Sequence, residues 1–164
     1  MNASADVALG GATQQFATRR SVGKCILLLI VSGGLWGLAW VYHTGKEVAQ
    51  QGLGKSDASP GLRAFGFLIP IVNYFVLYFS WRDIEHFCKE KGTRDFPLVL
   101  YFILTIIIPF VAIFTYISVQ GKMNDAWDAA AGGQAAEAPM ETIDWVTVGI
   151  GILLWIGVIA ISVN

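Results

Sequence analysis

The stretch CILLLIVSGGLWGLAWVYH, residues 25–43, decides the fold. It carries no Asp, Glu, Lys or Arg, and its only histidine is its last residue. Three glycines and two tryptophans crowd its second half. Such a run is a signal segment to be removed, a buried core helix, or a membrane span. The basic TRRSVGK before it, residues 18–24, has the look of an export signal, but cleavage needs small residues after the apolar segment. Here LWGLAWVYH follows, so an uncut first span is expected.

Working outward, three more apolar runs match it: residues 64–81, 96–119 and 145–163. With 25–42 they make four segments free of Asp, Glu, Lys, Arg and His. Each approaches or exceeds the roughly 17–25 residues that cross a hydrocarbon core. The chain is 55 % hydrophobic and 14 % charged, against about 25 % charge in soluble domains, which leaves apolar surface that no water-soluble core would absorb. Continuous apolarity excludes the alternation of a β-barrel. The expected fold is therefore all-α, an integral membrane four-helix bundle over residues 19–164 preceded by a loose polar tail, 1–18.

Lys and Arg placement orients the bundle. Arg19, Arg20 and Lys24 precede the first span, and Arg82, Lys89, Lys91 and Arg94 follow the second. Lys46, Lys55, Arg63 and Lys122 would lie opposite. Seven against four puts both termini in the cytoplasm if all four runs cross a bacterial inner membrane. Membrane lipids and other membrane subunits are the expected partners. A net charge of −1 offers nucleic acid no basic stripe.

From Ser32 to Tyr42 the order is S-x-G-x-W-G-x-x-W-x-Y, and QGKMNDAW spans residues 120–127. Together these resemble a family of small bacterial integral membrane proteins known as a domain of unknown function. In that family the first span ends T-x-G-x-Y-G-x-x-W and the third is followed by Q-x-x-L-N-x-x-W. Ser32 and Trp36 stand where the family has Thr and Tyr, and the likeness runs from about residue 21 to 127. The resemblance implies a multi-span architecture and no particular activity.

Gly33 and Gly37 are spaced G-x-x-x-G, which would place them on one helix face open to a second helix of this chain or of another copy. Trp36 and Trp40 are expected at the water boundary, anchoring the span or stacking on a ligand. Pro70 and Pro109 should kink spans two and three, with Asn73 hydrogen-bonded between helices near them, to Thr105 or Thr115. Beyond the second span, Trp81, Ile84 and Cys88 fall on one apolar face flanked by Phe87, expected to lie along the inner membrane surface or against a partner, with Glu85 and Lys89 an i,i+4 pair and Gly92 a stop. Met123 and Trp127 form another, expected to meet lipid or a partner.

No catalytic or metal constellation is present. Cys25 and Cys88 read as free thiols. GLGKS, residues 52–56, lacks the spacing of a phosphate loop. His43 follows the first span and His86 the second, which puts them on opposite sides of the membrane, about 30 Å apart. No cofactor is expected, although either could singly ligate a haem or pigment at a subunit boundary. The expected function is that of a non-catalytic accessory or scaffolding subunit. The alternative is a small channel or carrier with an outward-facing cavity near Asn73.

Overall fold

The structure, a computed structural model, describes residues 18–51, 59–108 and 110–163. It is all-α among the described residues, apart from two short strands. The helices are α1 (Val22–Val31), α2 (Trp36–Gln50), α3 (Pro60–Phe67), α4 (Val72–Glu90), α5 (Leu98–Ile107), α6 (Val111–Ala130) and α7 (Thr142–Val163). The strands β1 (Thr18–Arg19) and β2 (Ala136–Glu137) pair in parallel and tie the start of the chain to the loop before α7. The tail through residue 17, the 52–58 loop and Pro109 lie outside the described residues.

Three of the four expected spans are not single helices, because each turns back on itself, the first and third near the middle and the second near its start. Arg20 and Glu47 flank the first run and would be about 40 Å apart along a straight helix, yet their side chains pair at 2.7 Å. Arg63 and Asp83, expected on opposite sides of a membrane, pair at 2.6 Å. Across the third run, Tyr101 Oη lies 3.0 Å from Ser118 Oγ and Thr105 Oγ1 lies 3.0 Å from Thr115 Oγ1. The chain thus forms three antiparallel hairpins, α1–α2, α3–α4 and α5–α6, with the first two tips at residues 32–35 and 68–71 and the third flanked by Ile108 and Phe110.

Local chemistry explains the turns. Gly33 and Gly34 have φ of +60° and +91°, a left-handed conformation that side chains resist. They end α1 and reverse the chain, so the G-x-x-x-G pair does not share a helix face. Gly37 faces the Phe67 ring, which a Cβ there would crowd, whereas Gly33 faces Trp155. Pro70 sits in the exposed second turn, breaking a helix that it was expected only to kink. At the far ends, Ser59 caps α3 by accepting from Leu62 N with Pro60 at the first helical position. Gly92, at φ +66°, stops α4 as expected, with Thr93 N–H donating to Cys88 O at 3.0 Å.

Only α7 remains unbroken. Its segment Thr142–Ser162 is long and apolar enough to cross a membrane, and no other helix among the described residues is. It runs down the first hairpin until Gly151 meets the Ser32 backbone and Trp155 Nε1 approaches Gly33. From there about eight residues, roughly 12 Å of helix, continue past the tip with their large side chains exposed.

The Gly151 contact makes a direct prediction. A Cβ there would collide with the Ser32 backbone, whereas one at Gly149 meets nothing within 4 Å. Gly151→Ala should therefore cost about 1–3 kcal/mol by forcing the hairpin off α7, and Gly149→Ala should be near neutral. Denaturant unfolding of both variants in detergent checks this.

Candidate functional site

The hairpin ends away from the tips form a base in which polar groups are buried and paired. Trp36 and Trp40, expected at a water boundary, are each 1 % exposed. They begin α2, held by Ser32 Oγ accepting from Trp36 N at 2.9 Å. Trp36 Nε1–H donates to Asp144 Oδ1 at 2.8 Å, and Trp40 Nε1–H donates to Gln120 Oε1 at 2.6 Å. Gln120 Nε2 donates to Asn124 Oδ1 at 2.9 Å, and Asn124 in turn holds the backbone of Arg20 through N and O. The two sequence blocks that carry the family resemblance therefore meet. Trp40 comes from one and Gln120 from the other, and their bond joins α2 to α6.

A second strand of the network runs through Asp144 at the start of α7. His43 Nε2 lies 3.1 Å from both carboxylate oxygens, and Glu141 N donates to Oδ2 at 2.8 Å. Glu141 also faces His43 Nδ1 at 3.9 Å and Lys46 Nζ at 3.5 Å. Beside it, Arg20 holds Glu47 with two hydrogen bonds of 2.9 and 2.7 Å. On the other flank Arg63 meets Asp83, with Arg82 at 3.5 Å.

The aromatic and aliphatic faces expected to meet partners are core as well. Trp81, Ile84, Phe87, Met123 and Trp127 are each no more than 1 % exposed. Phe87 and Trp127 rings lie 4.5 Å apart, joining α4 to α6. Apolar periodicity marks the faces but not what covers them: they bury against each other within the chain, because the folded-back runs bring both ends together. The expected Glu85–Lys89 pair forms at 2.9 Å on the remaining exposed face.

Above the base, between the hairpins, lies a cavity of about 340 Å³. Leu29, Gly37, Trp40, Phe67, Trp81 and Tyr116 line it, and no charged group does. Asn73 is not among its lining residues. Thr105 and Thr115, its expected partners, bond each other, and Asn73 sits half-buried at the start of α4.

The histidines and cysteines do not assemble into a reactive set. His43 is enclosed between two carboxylates rather than exposed at a helix end, and His86 Nε2 pairs with Glu90 at 3.2 Å. Cys25 and Cys88 are buried free thiols. Burial pushes the Cys88 thiol up to about 11, so it is a neutral group rather than a nucleophile. The cavity touching Asp144 and Trp36 holds only about 10 Å³, at the lower limit for one water molecule.

The base was partly missed in the sequence. Arg20 and Arg63 count in the sequence only as orienting charges at span ends, and nothing local marks them, or Glu47, Asp83 and Asp144, as buried. Comparison of the chain with protein-family models, with curated proteins and with solved structures gives no match.

Proposed function

We propose that the protein is a non-catalytic integral component of a bacterial inner membrane, a structural or accessory subunit. In this reading the hairpins dip into one leaflet and α7 alone crosses. It replaces four full spans by one span and three half-depth hairpins. The observation that carries it is the chemistry of the tips.

Backbone groups in hydrocarbon must be satisfied within the protein, and the tips do this with their own bonds. Ser32, Gly33, Gly34 and Leu35 N–H donate to Leu28, Ile30, Leu29 and Ser32 carbonyls. Leu68 and Ile69 N–H donate to Phe65 and Gly66, and Ile108 N–H donates to Leu104. Around them Ile30, Phe65, Ile71, Phe75, Ile107 and Phe110 are exposed. Helices of ten residues, about 15 Å, match half of a hydrocarbon core of about 30 Å.

The non-catalytic reading is supported by the burial of His43 and Asp144 and by the cavity of only about 10 Å³ that touches Asp144 and Trp36. The channel reading is favoured by no observation: the cavity is apolar, and Asn73 stands outside its lining.

Bilayer depth tests the reading. Single cysteines at Ile71 or Ile30, labelled with a fluorophore in the reconstituted protein, should be quenched most strongly by lipids carrying the quencher near the bilayer centre. A label at Asp95 should be quenched only at the headgroup level. Equal quenching of tip and base labels by an aqueous quencher would defeat it.

A further inference from the structure

We propose that the protein bends the membrane that holds it, an inference that rests on the half-depth insertion above. In the leaflet that holds the hairpins, all seven described helices occupy area. Beyond Gly151 and Trp155, where α7 passes the first tip, only α7 continues. With helix axes 8–10 Å apart, each helix takes roughly 80 Å² of membrane, so one leaflet loses about 500 Å² more than the other. The crowded leaflet relieves that pressure by becoming the convex side, as with other shallow insertions whose binding depends on curvature.

A wedge bends a bilayer only if it does not yield first, and the base supplies the stiffness. Arg20–Glu47 and Arg63–Asp83 close the mouths of two hairpins. Trp40–Gln120 and Asn124–Arg20 fasten the first hairpin to the third, and Trp36–Asp144 fastens it to α7. At the opposite end, the backbone contact of Ser32 with Gly151 sets the depth of the first tip against the crossing helix. The charged ties lie at the base, and the Trp36 and Ser32 contacts hold the first hairpin to α7 close to its tip, so that hairpin cannot fold flat against the surface.

The test uses the full chain, fluorescently labelled, in giant vesicles of phosphatidylethanolamine and phosphatidylglycerol from which thin tubes are drawn. The side of each molecule is established by protease access to the 91–97 loop. Molecules with the base outward should be enriched several-fold on the tube relative to the vesicle, increasingly so as the tube narrows, and those with the base inward should be depleted. Equal density on tube and vesicle, for protein that resists alkaline extraction, would overturn the bending proposal and leave the membrane insertion standing. Protein released by alkali would overturn both.

Discussion

Asp83→Ala is expected to destabilise the protein by about 3–5 kcal/mol, because it strands the Arg63 guanidinium in the base without its counter-charge. The pair is tight and dry: 2.6 Å between Arg63 and Asp83, with side chains 8 % and 3 % exposed. Arg82, 3.5 Å from Asp83 on the other side, would lose its partner too. Replacing both members of the main pair, Arg63→Met with Asp83→Leu, should recover much of the loss, since removing two buried charges together avoids the orphan. A double-mutant cycle followed by denaturant unfolding in detergent should therefore show strong coupling. Four straight spans make the opposite forecast. Residues at opposite ends of one span share no contact, so their effects would be small and additive. An additive cycle would remove the second hairpin from the fold.

Why the sequence shows helices but not their folding-back is a matter of what hydropathy measures. A run such as 96–119 is apolar on every face, and two ten-residue helices surrounded by hydrocarbon satisfy that composition as well as one longer helix does. The signals of reversal were present and carried another meaning. Gly33–Gly34 and Pro109 lie midway between the residues that pair across them, Arg20 with Glu47 and Tyr101 with Ser118. In a straight span, however, a Gly pair reads as a packing groove and a Pro as a kink, and only long-range contacts decide between the two. The tryptophans posed the same ambiguity. An indole with one polar atom suits a membrane boundary and also suits a core in which that atom finds Asp144 or Gln120. Capping and stop signals were legible because they are local, as at Gly92. The buried charges were not, because each acquires its partner from 20 or more residues away.

A reporter enzyme that is active only outside the cytoplasm should work when fused after Asn164 and fail when fused in the loop at Gly133. All eleven Lys and Arg residues precede residue 123, and in the hairpin fold the ten that lie among the described residues are all in segments that enter or leave at the base. Among the described residues the bias toward cytoplasmic Lys and Arg then becomes ten against none, and a base that obeys it would lie inside. One crossing by α7 carries the chain end to the other face. The earlier even count of spans requires the reverse at both positions, with the 120–144 loop outside and Asn164 inside. The two fusions therefore exchange their outcomes between the alternatives rather than differing in degree. The reason is electrostatic: moving Arg19, Arg20 and Lys24 across together with Arg82, Lys89, Lys91 and Arg94 would oppose the whole of that bias, whereas the uncharged end of α7 crosses at no such cost. Activity at Gly133 with none after Asn164 would restore four spans and end the one-leaflet reading.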